Sequence, residues 1–236
     1  MEASRAGRAW DAVILSLAIQ HHPLRAESVK PLLERVPGAE LVVDPEPDAP
    51  VRSPWRTYRE CLVRTPREAT HRLILQDDVE VCDDFLIHTQ RAIEARPDRI
   101  VCFHVSGHPA TSARRVLRAG ERGESWAELD PNTWCPVVAT CWPVFEIGPM
   151  LRFDDAKHYA AGTVIQRGDD YRVGAFIKET RRTVLATVPS LVEHPDTVGS
   201  LIGTHALAGG NPGRVACCYL PEGCDPYEID WSLGPR

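Results

Sequence analysis

Short apolar runs alternate with segments of helical spacing along the first part of the chain. The apolar run from Ala12 to Ala18 and the run Glu40-Leu41-Val42-Val43 predict buried strands. Between and after them, Leu24 to Val36 and Trp55 to Val63 carry apolar residues at helical spacing. A third strand is predicted around Leu73 to Leu75. This order of strand, helix, strand, helix, strand is typical of a parallel sheet.

The same alternation continues further along the chain. A helix from about Asp84 to Ala95 and a strand from Arg99 to Val105 extend the pattern. After them come a strand from Val137 to Phe145, a short helix opening at Gly148-Pro149, a helix from Tyr171 to Glu179 and a last strand from Thr183 to Val188. The pattern predicts one α/β domain with a mainly parallel central sheet and helices on both faces.

Two segments depart from the pattern. Ser106 to Asn132 is rich in Gly, Ser and Arg, and we expect a long loop or short irregular elements there. Beyond Gly199 the chain is Gly-rich, and we expect the Pro- and acid-rich tail from Pro221 to be partly ordered at best. The single domain 1–236 thus divides into a first half (10–105), a second half (106–200) and an irregular tail (201–236).

Composition sets the class of protein. Of the 236 residues, 43% are hydrophobic and 25% are charged, as in an ordinary globular protein. The net charge of −6 provides no overall positive potential that would attract nucleic acid. The sequence shows neither a membrane span nor a cleavable leader, so we expect a cytoplasmic protein. Of the eight cysteines, Cys61, Cys82 and Cys102 fall on apolar-patterned elements and are expected to be buried thiols. A structural zinc site is the alternative.

A pair of adjacent carboxylates interrupts an apolar run. The stretch Leu73-Ile74-Leu75-Gln76 leads directly into Asp77-Asp78, after which apolar residues resume. Ligands of open α/β sheets bind at the carboxyl ends of the strands, where this pair would lie. Two like charges are costly to bury without a cation, so a divalent metal would explain them. A solvated turn is the alternative.

Two further groups of polar residues follow in compatible places. Asp169-Asp170 opens a predicted helix, and His194 follows the last predicted strand in Pro189-Ser190-Leu191-Val192-Glu193-His194. Acids at a helix start commonly cap its free N–H groups, and a single histidine is commonly a surface or core residue. We expect Asp169 to serve as the cap, which leaves Asp170 for proton transfer.

The order of these three motifs resembles that of glycosyltransferases of the GT-A fold, which use nucleotide-sugar donors. Leu73 to Val79 is similar to the family's DxD-type strand end, Asp169 to Gly174 to its acidic helix start, and Pro189 to His194 to the strand that closes its site. Gln76 stands where the first acid of the DxD pattern would fall. The resemblance spans roughly residues 12 to 200 and implies a single, Rossmann-like GT-A domain. In such a domain, 10–105 would be the nucleotide-binding half and 106–200 the acceptor and catalytic half.

The resemblance also implies roles for individual residues. Asp78 and His194 would hold Mn²⁺ or Mg²⁺, with imidazole favouring manganese, and Asp170 would be the catalytic base of an inverting hexosyl- or pentosyltransferase that uses a UDP-sugar. The nucleotide would lie across the first strand ends, within reach of Ala18, Gln20, Arg25, Asp44, Arg56 and Asp77. For Arg25 and Arg56, an exposed helical charge is the alternative.

Other functions remain open at this point. Gln76 in place of an acid favours a non-catalytic nucleotide-sugar-binding module, and clustered Asp and His residues also serve metal-dependent phosphoester hydrolases. The acceptor is undetermined and could be a saccharide, a metabolite, a protein or modified DNA. Trp126, Trp134 and Trp142 could stack on it, although core packing is the commoner role of tryptophan. An anionic acceptor could dock on the arginines between Arg114 and Arg122.

Overall fold

The structure is a computed structural model that describes residues 12–50, 52–107, 110–132, 137–153, 168–195, 201 and 214–235. The strands are β1 Leu15–His21, β2 Glu40–Val43, β3 His71–Gln76, β4 Glu80–Val81, β5 Ile100–Cys102, β6 Trp126–Glu128, β7 Ala139–Pro143, β8 Val184–Thr187 and β9 Val192–Glu193. The helices are α1 Val29–Arg35, α2 Pro54–Val63, α3 Phe85–Ala95, α4 Ala110–Glu121, α5 Val144–Leu151 and α6 Asp169–Thr180, with a 3₁₀ turn at Pro23–Arg25.

One seven-stranded sheet organises the chain, in the order β2-β1-β3-β7-β5-β8-β6. Strands β2, β1 and β3 are parallel neighbours, β5 and β8 are parallel, and β7 is antiparallel to both β3 and β5. Strand β6 is antiparallel to β8. Strands β1, β2, β3, β5 and β8 therefore point the same way. Because β7 lies between β3 and β5, the two predicted halves of the chain share one sheet.

Helices cover both faces of this sheet, as predicted. Alternate residues of each strand point to opposite faces, so Ile74 packs in one apolar cluster and Leu73 and Leu75 pack in the other. The cluster around Ile74 receives side chains of α2, α4, α5 and α6, whereas the opposite cluster receives those of α1 and α3. The fold is therefore α/β, and it is compatible with a Rossmann-like architecture.

Three predicted elements differ in the structure. The short helix predicted to open at Gly148-Pro149 is α5, which begins at Val144 and follows β7 directly. The helix predicted from Leu24 to Val36 is divided into the 3₁₀ turn and α1, because the ring of Pro31 would clash with the Glu27 carbonyl in a longer helix. The loop predicted from Ser106 to Asn132 contains α4 and β6. Helix α4 buries a narrow stripe of small residues that includes Ala113 and Ala119, a weaker pattern than one of large apolar residues.

The cysteines on the apolar-patterned elements lie in the core. Cys61, Cys82 and Cys102 are buried free thiols, as predicted. Within the described ranges, no helix combines the length and the apolar composition needed to cross a bilayer.

The C-terminal segment packs more firmly than the sequence predicts. Residues 214–235 contain turns and isolated bridges, and they lie against the sheet. The Trp231 side chain is buried beside Trp126, with ring centroids 5.4 Å apart, and Trp126 Nε1 donates to the Trp231 carbonyl at 2.8 Å. Leu220 is buried in the same apolar cluster. The segment is therefore part of the core.

Replacing Trp231 with alanine is expected to lower the free energy of unfolding by about 3–5 kcal/mol, because a buried indole leaves a large cavity. Urea denaturation followed by fluorescence or circular dichroism measures this loss. Tyr227→Ala is the control, since Tyr227 lies in the same segment but is 70% exposed. Equal, small losses for the two variants would show that the segment contributes little to the core.

Candidate functional site

The candidate site lies at one edge of the sheet, where β1 and β3 end together. Gln20 and Gln76 are register partners at the ends of these parallel strands. The residues that follow, His21-His22 on one strand and Asp77-Asp78 on the other, therefore emerge side by side. This is the edge at which ligands bind in open α/β sheets.

Asp77 is fixed by the end of β1. Its Oδ2 accepts from the His22 backbone N–H at 2.8 Å and lies 2.9 Å from His21 Nδ1. Its Oδ1 accepts from Arg25 Nη1 at 2.9 Å. These contacts hold the two strand ends together, so Asp77 positions the neighbouring Asp78.

Asp78 and His194 meet because a second small sheet connects them. Strand β4, just after Asp78, pairs with β9, just before His194. Asp78 Oδ2 lies 3.2 Å from His194 Nε2, and both side chains are almost fully buried. Two adjacent ligands of a hexacoordinate metal, each at about 2.1 Å, lie about 3 Å apart. The spacing of this oxygen and nitrogen fits a divalent ion.

Two arginines surround the same carboxylate. Arg25 Nη1 lies 2.8 Å from Asp78 Oδ2, and Arg214 Nη2 lies 3.1 Å from it and also contacts His194 Nε2. Burial acts to raise the pKa of Asp78, but the hydrogen bond and charge of His194 and the charges of both arginines hold this pKa well below its usual range. Asp78 is thus an anion inside a cationic shell.

Hydrogen bonds of the backbone next to Arg214 hold it at this position. The segment after Arg214 runs beside the residues that follow β5, with Gly107 N donating to Val215 O at 3.2 Å. Glu193 Oε1 accepts from the backbone N–H groups of both His194 and Ala216, each at 2.7 Å. The position of Arg214 therefore depends on the same glutamate that orients His194.

His104, which follows β5, lines the deeper side of the cluster. Its ring centroid is 6.1 Å from that of His194, and its Nδ1 lies 3.0 Å from the Val192 carbonyl, to which it donates. Burial and the positive charges of His194 and Arg214 lower the pKa of His104 to about 4. His104 is therefore a neutral imidazole at pH 7 and adds no charge to the site.

Asp169 and Asp170 open α6 close to the same strand ends. Gly168 occupies the N-cap position, so the prediction that Asp169 is the cap is wrong. The Asp169 carboxylate is buried and accepts from Gln20 Nε2 at 3.2 Å and from the Asp170 N–H at 3.0 Å. Gln76 also hydrogen-bonds it. Asp169 thus ties the helix start to the ends of β1 and β3.

The half-buried Asp170 has the protonation behaviour of a base. Burial, and then the charge of Asp169, raise its pKa to about 7, while burial also raises the pKa of Asp169. The Asp170 Oδ1 accepts from the Tyr171 N–H at 2.8 Å. A carboxylate with a pKa near neutrality can take up a proton in the physiological range.

Asp44 and Arg56 form a pair beside this edge. Arg56 Nε and Nη2 donate to the two carboxylate oxygens of Asp44, at 2.8 and 3.1 Å. Asp44 is buried, and Arg56 keeps part of its surface exposed. Asp44 therefore lies at the end of β2 and Arg56 on α2 beside it, and these two predicted nucleotide contacts neutralise each other in this structure.

Three predictions from the sequence are not supported by the positions of the side chains. Ala18 is fully buried within β1, where its side chain packs in the core and does not reach the strand-end edge. Trp126 and Trp142 are also fully buried, so neither can stack on an acceptor; Trp134 lies outside the described residues. The alternative of an exposed charge is wrong for Arg25, which bridges Asp77 and Asp78.

Three residues of the site were not predicted from the sequence. His21 is the last residue of β1 and His104 lies two residues after β5, so the strand-end rule that selected Asp77 could also have selected them. No comparable signal marks Arg214, which lies in a segment without periodic pattern. Its role depends on a contact across 136 residues of sequence.

Several buried polar atoms at this edge have no hydrogen-bond partner within the part of the chain that the structure describes. They are Gln20 Oε1, His22 Nε2, Asp78 Oδ1 and His194 Nδ1. An unsatisfied buried polar atom is costly, typically by about 1–3 kcal/mol. Their concentration at the strand ends indicates a place where a ligand or water completes the bonding.

Among the described residues, no three His, Cys, Asp or Glu side chains lie together in a way that could hold a metal ion. A metal held by Asp78 and His194 would thus need further oxygen atoms, from water or substrate, to complete its coordination shell. Comparisons with known proteins add no further indication: no family profile matches the chain, and no curated protein matches it significantly.

Proposed function

We propose that the protein is a GT-A-type glycosyltransferase that transfers a sugar from a nucleotide-sugar, with UDP as the expected nucleotide, to an acceptor hydroxyl. The observation that carries the proposal is the convergence of Asp78, His194 and the Asp169-Asp170 pair at one sheet edge with unsatisfied polar atoms. Gln20 and Gln76 connect the acidic helix start to the strand ends. These are the motifs in which the sequence resembles the GT-A family.

The diphosphate of the donor would lie against the cationic side of the cluster. Arg25 and Arg214 provide guanidinium groups that suit phosphate oxygens. Asp78 Oδ2 and His194 Nε2 would hold Mn²⁺ or Mg²⁺, which when bound supplies Lewis-acid stabilisation of the leaving diphosphate. The Gln20 Oε1 and His22 Nε2 atoms, both unsatisfied, are available for the nucleoside.

Asp170 would act on the acceptor. Its carboxylate takes the proton of the acceptor hydroxyl as the oxygen forms a bond to the anomeric carbon. The bond from that carbon to the donor phosphate oxygen breaks at the same time, and the nucleoside diphosphate leaves with the electron pair. Attack from the face opposite the leaving group inverts the anomeric configuration.

A thermal-shift panel of nucleotides and nucleotide sugars, with and without Mn²⁺, tests the proposal. A ligand at about 100 times its Kd stabilises the native state by about 2.7 kcal/mol, so the melting temperature should rise with UDP or a UDP-sugar plus Mn²⁺. His194→Ala should remove the metal-dependent part of the shift. Arg122→Ala, which removes an exposed ion pair with Glu124, should retain it. No shift with any nucleotide would contradict the proposed function.

A non-catalytic nucleotide-sugar-binding module is the second candidate, because Gln76 replaces an acid of the DxD pattern. The hydrogen bond from Gln76 to Asp169 provides a structural reason for an amide at this position. A third carboxylate there would face the buried Asp169 without a donor to offset it. A nucleotide-dependent shift without transfer to any acceptor in a broad panel would favour the module.

A further inference from the structure

Arg214 stands in the position that a divalent ion would take. Its Nη2 lies 3.1 Å from Asp78 Oδ2 and contacts His194 Nε2, and these are the two atoms whose 3.2 Å separation fits a shared metal. A guanidinium and a divalent cation cannot use the same oxygen and nitrogen lone pairs together, and their like charges repel. Occupation of this position by one cation therefore excludes the other.

The two arginines of the cluster differ in how they are held. Arg25 bridges Asp77 and Asp78, and its side chain is 12% exposed. Arg214 contacts Asp78 alone of these two carboxylates, and its side chain is 24% exposed. Arg214 is therefore the more exposed of the two guanidinium groups, and the phosphate oxygens of a bound nucleotide would give it strong alternative acceptors.

We propose that Arg214 is an internal cation that occupies the metal position between Asp78 and His194, so that Arg214 and a divalent ion hold these two side chains alternately. In the ligand-free protein Arg214 neutralises Asp78. The ion takes its place when a nucleotide diphosphate offers new acceptors to the guanidinium. This inference rests on the metal site of the proposed function and adds a competitor to it.

Titration of Mn²⁺ alone, without nucleotide, into the full chain tests the competition. Arg214→Ala should bind Mn²⁺ at least about tenfold more tightly than the unmodified protein, within the usual range of coupling between two sites. Arg214→Lys keeps a positive charge and should bind Mn²⁺ more weakly than Arg214→Ala does. Asp78→Asn combined with Arg214→Ala should lose the gain, which locates the ion at this site.

Folding and specificity are checked on the same samples. Circular dichroism establishes that each variant is folded, and Arg214→Gln, which keeps amide donors without charge, replaces the alanine variant if that one unfolds. Arg122→Ala serves as the control for loss of an arginine and should bind Mn²⁺ as the unmodified protein does.

The outcomes separate this inference from the proposed function. Equal or weaker Mn²⁺ binding by Arg214→Ala and Arg214→Gln, together with nucleotide stabilisation of the unmodified protein, would overturn the role of Arg214 alone. Tighter Mn²⁺ binding by these variants, together with no stabilisation of the unmodified protein by any nucleotide, would support the competition and overturn glycosyl transfer.

Discussion

Asp170→Asn is expected to lower the rate of sugar transfer by about 10²–10⁴-fold, the usual contribution of a general base, while UDP binding changes little. Asparagine has a similar size but cannot take the acceptor proton. A coupled assay of UDP release in the presence of acceptor, together with a separate UDP titration, measures both quantities. Asp84→Asn is the matched control, since Asp84 stands at the start of another helix, α3.

The pH dependence adds a second observable for the same residue. The base works when deprotonated, so the rate should rise with pH and level off above the pKa of about 7 of Asp170. Asp170→Asn should lack this rise. Unaltered turnover in Asp170→Asn, or a rate that falls across this range, would place the base elsewhere.

The contribution of Asp170 to protein stability should fall as the pH rises, in contrast to the rate. The folded-state pKa of Asp170, about 7, lies above the ordinary value, so its contribution is complete below about pH 3.9 and is lost as the pH rises through 7. The asparagine variant never ionises. Its free energy of unfolding should therefore fall less between pH 5 and pH 8 than that of the unmodified protein.

Asp78→Asn is expected to cost about 3–5 kcal/mol of stability, because it leaves buried cationic groups without their carboxylate. It should also abolish the effect of Mn²⁺ on nucleotide binding. Urea denaturation and the thermal-shift panel measure the two effects. Asp83→Asn is the control, since Asp83 pairs with Arg35 at the surface and its loss should matter far less.

The pH profile of stability should change in the same variant. The pKa of Asp78 is lowered in the folded protein, so its contribution is complete above the unfolded value of about 3.9 and is lost as the pH falls below it. Asp78→Asn should therefore show a smaller loss of stability in acid. A variant as stable as the unmodified protein, with metal-dependent nucleotide binding intact, would mean that Asp78 does not organise the site.

The hydrophobic pattern located the strands around the site, although β1, predicted from Ala12 to Ala18, runs from Leu15 to His21. β2 has the predicted bounds, and β3 ends directly before Asp77 as expected. The same rule failed for α4, whose buried stripe has Val116 as its one larger apolar residue, beside Ala113 and Ala119 and between arginines. The sequence can therefore indicate where a chain turns at a sheet edge more readily than how a weakly apolar helix packs.

The chemistry of the site was only partly predictable. Asp78 and His194 could be proposed as neighbours from motif order, and the structure brings them together. The pairing of Asp44 with Arg56 and the arrival of Arg214 depend on side-chain geometry and on an irregular segment. Neither of these two features produces a periodic pattern in the sequence. Charge balance within a buried cluster is set by tertiary contacts, which local sequence does not encode.

The wide sequence separation of the site contacts has a consequence for how the protein is made. Asp78 and Arg214 are 136 residues apart, and Gln20 and Asp169 are 149 apart. During synthesis the strand-end carboxylates leave the ribosome long before Arg214, which must then be added to a sheet that has already begun to form. Closing such long loops is slow and late. The nascent chain should therefore carry its strand-end carboxylates without Arg214 until the C-terminal segment, which also adds Trp231 to the core, has been synthesised.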